Sequence, residues 1–531
     1  MSRFPGVALG RFDARVQALG PWSSRLALFS AGAAATLALP PVGAWPVLYP
    51  CFWVLLRLAD RAADPARGSR RAAFGVGWWF AFGYLSVGWY WIANALLVYS
   101  DRLWWMTPFA ALGLPAAMAV YYGLATLAVR PLASGLARAL GLAAAFVAAD
   151  WLRGHLLTGF PWNVWGYAYA DSAWLSQGAA LFGVYGLGLL ALVSATLAGA
   201  SATPRATGRA RAAALVGAAA IPLALGSFGA ARLSTAPDPL IAAADGPGLR
   251  IVQAGVPQRE KWPRRFAERN FNAHLDLSLK GRPDWVSSVV WPETAAAFFL
   301  ADAPPARQAI AAVLPPGGVL LTGAPRRGDD PPGLRNSLLA LDGSGAVIAH
   351  YDKAHLVPFG EYVPFAEWLP IEKIAEGGSG YVPGPGPRTL TLPGLPPVSP
   401  LICYEVIFPG AVTPEATRPA WILNLTNDAW YGETAGPYQH LQHTRMRAIE
   451  RGLPLVRAAN TGISAGFDGY GRELGRLGLN QAGALDLRLP PALETPTPFV
   501  RWGAGALAIG LAIVGLAALL ADRRARRRAQ P

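Results

Sequence analysis

The chain has 531 residues, of which 53% are hydrophobic and only 15% are charged, and its mean hydropathy is +0.30. This length predicts at least two domains. The composition argues against an ordinary soluble protein and predicts a membrane protein with a polar part. The formal net charge of +14 is compatible with nucleic-acid binding, but membrane proteins also collect arginine in their cytoplasmic loops. Two distant cysteines, Cys51 and Cys403, argue against a disulfide framework.

Residues 1–235 hold a series of long apolar runs that predict an α-helical membrane bundle of about seven spans. A helix needs roughly 20 apolar residues to cross a bilayer, and each run approaches that length. We interpret the first run as a retained anchor, because no convincing small-residue cleavage pattern follows it. The predicted spans lie near residues 24–40, 43–58, 73–97, 104–128, 132–150, 173–198 and 211–230.

Residues 236–490 change character, because the apolar runs shorten to strand length and alternate with helix-length polar stretches. This alternation predicts an α/β or α+β domain. Within it, the Gly/Pro-rich segment 376–400 is typical of a loop. Residues 500–521 are apolar again and predict a C-terminal transmembrane helix, and residues 522–531 form a basic tail.

The arginines are distributed unevenly among the segments between these runs. They concentrate before the first run, after the second, fourth and sixth runs, and in the tail. All of these segments lie on one side if seven spans precede the polar domain and one span follows it. By the positive-inside rule that side is the cytoplasm. We therefore expect the domain at 236–490 to face a periplasm-like space, and no nucleic-acid partner is needed to explain the charge.

Three residues in the outer domain form a candidate catalytic set, each at or just after a strand-like run. Glu293 follows "SSVVWP", Lys353 follows "AVIAHYD" and Cys403 follows "PLI". A thiol needs to lose its proton to become a good nucleophile, and a buried carboxylate can accept that proton. An ammonium can stabilise the thiolate and the oxyanion of a tetrahedral intermediate. Each residue also has an ordinary interpretation, as a core cysteine, a loop carboxylate and a surface lysine.

The segments around these residues resemble a known superfamily. "VVWPET", "YDKAHLVPFGEYVP" and "ICYEVIFP" are similar to the three signature segments of the nitrilase (carbon–nitrogen hydrolase) superfamily. "LTNDAWYGETAGPYQHLQHTRMRAIERGLPLVRAANTGISA" and "TGFPWNVWGYAYADS" narrow the resemblance to the apolipoprotein N-acyltransferase family. The resemblance covers nearly the whole chain and implies a membrane bundle, an outward nitrilase-like αββα sandwich and a last C-terminal span. Gly255 departs from the family, which often has an Asn there.

The resemblance implies a role for each matching residue of the catalytic set. Glu293 matches the general base, Lys353 the lysine that stabilises the oxyanion, and Cys403 the nucleophile that carries the acyl group as a thioester. Glu361 matches a second glutamate that helps to hold the lysine and the intermediate.

The resemblance also implies roles for three neighbouring residues. Tyr404 and Glu405 match the pair after the nucleophile, and the backbone N–H of Tyr404 is expected to join the oxyanion hole. Trp262 matches an aromatic residue on a mobile arm near the lipid entrance, where the alternative is a packing or surface tryptophan.

The activity implied is a two-step acyl transfer in the bacterial inner membrane. A phospholipid would donate its acyl chain to Cys403, and the N-terminal α-amine of a diacylglyceryl-cysteine apolipoprotein would then accept it. No cofactor is expected. Two alternatives stay open at this point, which are a membrane-tethered amidase or nitrilase of small amides and a non-catalytic scaffold or transporter.

Two weaker motifs carry ordinary interpretations. His440 and His443 are spaced as metal ligands could be, but no further ligand completes a recognisable zinc set, so no metal is expected. The aromatic segment 160–167, "FPWNVWGY", is typical of an interfacial aromatic belt, and the alternative is a role under the lipid entrance.

Overall fold

The computed structural model describes residues 13–98, 100–202, 207–364, 380–414 and 416–529. The chain divides into two compact units. The helical unit draws on Met1–Ala93, Trp105–Ser234 and Pro498–Pro531, and the sheet unit on Asn94–Trp104 and Thr235–Thr497, as far as these ranges are described.

Four helices of the described chain are long and apolar enough to cross a membrane. They are Trp104–Val129, Leu175–Ser201, Gly208–Ser234 and Ala504–Arg528. The other predicted spans coincide with helices of 15 to 20 residues, namely Pro21–Ala35, Leu48–Ala63, Arg70–Gly88 and Leu136–His155. A helix of 15 residues is only about 22 Å long, so it is short for a full crossing. The membrane-spanning character is therefore confirmed, and the total of seven spans before the domain stays a prediction.

The aromatic segment 160–167 lies inside the helical unit. Trp162, Trp165 and Tyr167 are each at most 1% exposed, and Trp165 stacks on Tyr84 at a ring distance of 4.1 Å. The expectation of an interfacial belt is therefore wrong for these three residues, because the rings pack into the interior of the unit.

A buried ion pair holds this aromatic segment in place. The Arg153 guanidinium donates to Asp150 Oδ1 at 2.9 Å and to the Trp162 carbonyl at 2.9 Å. Asp150 Oδ2 accepts from the Trp165 backbone N–H at 2.9 Å, and Asp150 Oδ1 also accepts from the Tyr122 hydroxyl. These bonds satisfy backbone groups that the irregular segment leaves without helical partners.

The sheet unit contains two six-stranded sheets. The strands are β1 Gly248–Gln253, β2 Val286–Val290, β3 Leu320–Asp329, β4 Pro332–Leu341, β5 Val347–Asp352, β6 Leu390–Leu392, β7 Leu395–Ile402, β8 Trp421–Thr426, β9 Leu455–Ala459, β10 Ser464–Phe467, β11 Glu473–Leu477 and β12 Gly483–Arg488. The first sheet has the order β12-β1-β2-β3-β4-β5 and the second the order β11-β10-β9-β8-β7-β6. β1–β2–β3 and β7–β8–β9 are parallel, and the remaining neighbours are antiparallel.

The two sheets share one apolar core, to which both contribute side chains such as Ile251, Leu338, Leu423 and Val456. Helices cover the outer faces. Arg264–Leu279 and Pro304–Val313 pack on the first sheet, and Gly436–Arg451 packs against β9 of the second. This is a four-layer αββα arrangement, so the expected fold class is confirmed.

The predicted loop at 376–400 is wrong for residues 390–392 and 395–400, which form strands. β6 and most of β7 lie there, although β7 contains Pro396, Pro397 and Pro400. Proline indicates a loop because it cannot donate a ladder hydrogen bond. β7 nevertheless pairs with β8 from Val398 onward and buries most of its side chains, and no local pattern reports such distant partners. Residues 376–379 lie outside the described residues.

Candidate active site

The three predicted catalytic residues follow the ends of three strands in the sheet unit. Glu293 comes three residues after β2, Lys353 directly after β5, and Cys403 directly after β7. All three are buried, with 7%, 1% and 6% of their surface exposed. Buried charges require partners, so the contacts of these side chains define the site.

The Lys353 ammonium lies between two carboxylates. Its Nζ is 2.9 Å from Glu361 Oε2 and 3.7 Å from Glu293 Oε1. Burial alone would lower the pKa of Lys353, but Glu361, Glu293 and Cys403 outweigh burial and raise it above its usual value. Lys353 therefore stays protonated and keeps a positive charge next to the thiol.

Asn336 of β4 joins the two carboxylates, and the sequence analysis missed it. Its Nδ2 donates to Glu293 Oε1 at 2.8 Å and to Glu361 Oε1 at 2.9 Å. Two like charges in one buried site repel each other, and a shared donor lowers that cost. The sequence feature that could have indicated Asn336 is its amide side chain at the start of the apolar run "NSLLAL".

The nucleophile lies on a strained turn. Cys403 has a φ of +52°, in the left-handed region that residues other than glycine rarely occupy. Glu405 braces this turn, because its Oε2 accepts from the Ile402 N–H at 2.7 Å. Its other oxygen, Oε1, accepts from the Tyr351 hydroxyl at 2.8 Å and from the N–H groups of Ala354 and His355 at 2.7 and 3.1 Å. Glu405 therefore connects the nucleophile turn to the segment that follows Lys353.

Burial raises the pKa of the Cys403 thiol to about 12, and the charge of Glu293 adds to this effect while Lys353 opposes it. At neutral pH the thiol is then almost entirely protonated, because the thiolate content falls steeply below the pKa. Such a thiol reacts only when a base removes its proton as the new bond forms. The arrangement thus fits general-base catalysis better than a preformed thiolate.

A second buried network lies behind the nucleophile. Asp428 accepts from His440 Nδ1 at 2.9 Å and from the Arg457 guanidinium, which in turn donates to Asn424 Oδ1 at 2.7 Å. Burial would raise the pKa of Asp428, but Arg457 and His440 outweigh burial and lower it. His440 is therefore a partner of Asp428. In the part of the chain that the structure describes, no three His, Cys, Asp or Glu side chains are grouped as a metal site.

The general-base candidate also lies in a tight, strained turn. Thr294, the next residue, has a φ of +50°. β3 approaches this turn so closely that a Cβ added at Gly323 would lie 2.3 Å from the Thr294 nitrogen and 2.7 Å from Glu293 Cα. Only glycine fits at position 323 without moving the turn.

Lys261 is a second buried lysine at the site, and the sequence analysis did not select it. Its Nζ donates to the Glu293 carbonyl oxygen at 2.8 Å, and only 4% of its surface is exposed. The sequence feature that could have indicated Lys261 is a lysine next to Trp262, in a chain whose basic residues are mostly arginine.

The remaining predicted residues occupy the surroundings of this cluster. Tyr404 is 4% exposed and its ring contacts those of His355 and Phe408. Trp262 ends the short helix Gln258–Lys261 and is partly exposed. Gly255 has a φ of +66°. Glycine adopts this conformation without steric cost.

Two family models match the chain. One, described as the apolipoprotein N-acyltransferase N-terminal domain, matches residues 31–197. The other, described as carbon-nitrogen hydrolase, matches residues 268–495. Glu293, Lys353 and Cys403 all lie within the second match.

Curated relatives are similar over nearly the full length. The apolipoprotein N-acyltransferase of Rhodopseudomonas palustris is 41% identical over 527 residues, which cover 94% of this chain and 96% of that protein. The apolipoprotein N-acyltransferase of Bradyrhizobium diazoefficiens is 42% identical over 523 residues, 95% of each chain. Among solved structures, an amidase of the nitrilase superfamily from Nesterenkonia AN1 is 21% identical, covers 52% of this chain and 98% of its own, and has a TM-score of 0.35.

Proposed function

Because this chain belongs to the apolipoprotein N-acyltransferase family, we propose that it moves an acyl chain from a phospholipid to the N-terminal α-amine of a diacylglyceryl-cysteine apolipoprotein. The chain is an acyltransferase with a nitrilase-like domain. The acylation completes lipoprotein maturation and proceeds through a thioester on Cys403.

In the first step the Cys403 sulfur attacks the ester carbonyl of the phospholipid, and Glu293 accepts the thiol proton. Lys353 and the backbone N–H of Tyr404 stabilise the oxyanion, as donors aimed at developing charge do in acyl transfer. The ester C–O bond breaks, Glu293 gives the proton to the leaving oxygen, and a lysophospholipid departs. Glu361 holds Lys353 in place through its 2.9 Å ion pair.

In the second step the neutral α-amine of the acceptor attacks the thioester. Glu293 accepts the amine proton, the C–S bond breaks, and Glu293 returns the proton to the Cys403 sulfur. An amide forms and the thiol is restored, so atoms and charges balance over the cycle. Trp262 contributes to binding the lipid chains at the entrance, since a partly exposed tryptophan suits an apolar chain with a polar end.

The protein lies in the inner membrane of a bacterium with its sheet unit in the periplasm. The membrane association follows from the apolar helices and the family. The orientation rests on the arginine distribution, since basic segments stay on the cytoplasmic side. Anchoring the catalytic unit at the bilayer keeps both lipid substrates within reach, which converts their encounter into a local event.

The observation that supports this function best is the Lys353 ammonium between Glu361 and Glu293, next to a thiol that requires a base. Intact-protein mass spectrometry tests it directly. The purified enzyme with one defined phospholipid is expected to gain the mass of the acyl chain and to lose it with hydroxylamine. Cys403→Ala is expected to gain none. A folded wild-type protein that forms no adduct, or that cleaves small amides instead, contradicts the proposal.

A further inference from the structure

Lysine is rare in this chain, and its positions are informative. Of 46 lysines and arginines only four are lysines, at positions 261, 280, 353 and 373. Lys280 is exposed, Lys353 and Lys261 are buried at the active site, and Lys373 lies outside the described residues. Arginine stays protonated, whereas a buried lysine is a compact charge that can lose its proton. At the active site the chain therefore has two lysines, although arginine is its usual basic residue.

The Lys261 ammonium contacts the backbone of the general base. Its Nζ donates to the Glu293 carbonyl oxygen at 2.8 Å, inside a region that excludes solvent. A charge-assisted hydrogen bond in such a region is stronger than one between neutral groups. The carbonyl belongs to the peptide that joins Glu293 to Thr294, so the bond acts on the turn itself.

This turn needs support. Thr294 is β-branched and has a φ of +50°, and residues of this kind keep such a conformation only where the surroundings hold it. Gly323 closes one side of the turn, with its N–H donating to the Pro292 carbonyl at 3.2 Å. Lys261 provides a hydrogen bond one residue further on, at Glu293.

The backbone that carries Lys261 is fixed independently of Glu293. Gln258 Oε1 accepts from Asn427 Nδ2 at 2.7 Å. The Arg259 guanidinium donates to the carbonyls of Val98 and Leu97 at 2.7 and 3.2 Å. The side chains of the first two residues therefore fix the helix Gln258–Lys261. A side chain on a fixed backbone can hold another group in place.

A small cavity of about 10 Å³ adjoins the ammonium, with His274, Asn270 and Thr294 also on its walls. The Nδ1 of His274 donates to the Asn270 carbonyl at 2.7 Å, which leaves Nε2 as an acceptor, and Nε2 has no hydrogen-bond partner among the described residues. This volume is close to the minimum for about one water molecule. The cavity therefore leaves room for about one water molecule beside Lys261.

We propose that Lys261 is a positioning residue, which holds the strained Glu293–Thr294 turn through the Glu293 carbonyl and so aims the Glu293 carboxylate at the Cys403 thiol. The inference rests on the proposed role of Glu293 as the general base. Burial lowers the pKa of Lys261 to about 8, while the charge of Glu293 opposes that effect. The titratable groups that face it are Glu293, Cys403 and His274. Its charge is present at neutral pH and is lost above about pH 8.

The experiment compares Lys261→Met with Lys280→Met, the same exchange at an exposed lysine of the same unit. The rate of Cys403 acylation is followed by quenched intact-protein mass spectrometry over a range of phospholipid concentrations, from about pH 6 to about pH 10. We expect Lys261→Met to acylate about 100-fold more slowly at saturating lipid, with a half-saturating concentration within about twofold of wild type. Lys280→Met should match wild type, and the ratio of wild-type to Lys261→Met rates should fall above about pH 8.

Lys261→Met acylation within about threefold of wild type, with a rate ratio independent of pH, overturns the proposal. If Lys261→Met does not fold, Lys261→Arg replaces it, because arginine keeps the charge at every pH of the experiment. The variant should then acylate without the alkaline decrease that is specific to the lysine. A Lys261→Arg profile that still shows that decrease overturns the proposal. Absence of acylation in wild type, or normal acylation in Glu293→Gln, would instead overturn the proposed function.

Discussion

Both units of the molecule bury charged side chains, and they use them differently. In the helical unit, Asp150 and Arg153 form a one-to-one pair whose oxygens and terminal N–H groups bond to Tyr122 and to the backbone of the aromatic segment. In the sheet unit, three carboxylates (Glu293, Glu361 and Glu405) share the site with two ammonium groups and a thiol, and two of the backbone turns are strained. Burial of charge therefore does not identify a catalytic site by itself.

The distinguishing feature is an excess of one charge sign. Conformational strain does not separate the two clusters, because Asn163 of the aromatic segment also has a positive φ, of +56°. The Asp150–Arg153 pair stabilises a fold, since breaking a buried pair is costly and its partners are ordinary backbone groups. Under the proposed function, the cluster around Lys353 keeps groups in states that help the reaction more than they help the fold. Variants in the two clusters should accordingly separate loss of rate from loss of stability.

The largest expected effect is that of Glu293→Gln on the first acylation step. An amide cannot accept the Cys403 proton, so the acylation rate should fall about 10³-fold, within the usual range for a general base. The midpoint of thermal unfolding in detergent should stay near that of wild type. Acylation that is nearly normal in this variant would show that another group removes the proton.

Arg153→Met should reduce the stability of the protein and leave the acylation rate nearly unchanged, which is the opposite of the effect of Glu293→Gln. It leaves Asp150 buried without its cation and should destabilise the protein by about 3 to 5 kcal/mol. The measurement is the thermal unfolding midpoint, with Arg209→Met, an exposed arginine of the same unit, as the control. Acylation per folded molecule should change by less than about twofold, because Arg153 takes no part in the chemistry. A larger loss of rate at unchanged stability would break the comparison between the two clusters.

Asn336→Leu should produce a smaller loss of rate than Glu293→Gln. It removes two charge-assisted hydrogen bonds to carboxylates, each typically worth about 1.5 to 3 kcal/mol. Both bonds are also present in the ground state, so only part of this energy affects the rate, and acylation should slow by about 10- to 100-fold. Asn272→Leu, on the exposed face of the helix Arg264–Leu279, is the matched control. If the acylation rates of the two variants are equal, Asn336 does not organise the carboxylates.

The smallest effect concerns the resting thiol. Because burial raises the pKa of Cys403 to about 12, iodoacetamide should label it slowly at neutral pH. The labelling rate should then rise about tenfold per pH unit as the pH approaches that pKa, since the thiolate is the reactive form. A Cys51→Ala background isolates the signal, and Cys403→Ala gives the blank. A rate that levels off near neutral pH would indicate a preformed thiolate.

Much of this site follows from sequence alone because its residues lie in strongly patterned local segments. Glu293, Lys353 and Cys403 each come after a short apolar run, and the structure has a strand at each place. Their catalytic roles stay predictions. The strain at Cys403 and Thr294 could not be predicted, because neither residue type signals a positive φ.

The parts that escaped prediction depend on distant partners. Asn336 acts through Glu293, which is 43 positions away, and Asp428 through Arg457, which is 29 positions away. The segment 160–167 looked interfacial because a row of aromatic residues is equally compatible with a membrane surface and with a core. The Asp150–Arg153 pair holds the segment in the core by hydrogen bonds to its backbone. The pattern of residues along the sequence does not indicate this ion pair.

Glu405 accepts three backbone hydrogen bonds, which tie the Ile402 amide to those of Ala354 and His355, about 50 positions away in the sequence. Two distant pieces of chain therefore share one carboxylate as their anchor, and neither can open alone without breaking its bond to that carboxylate. In deuterium exchange the three amides should open as a single cooperative element. Acylation of Cys403 should then change the protection of the Ala354 and His355 amides from deuterium exchange by the same amount.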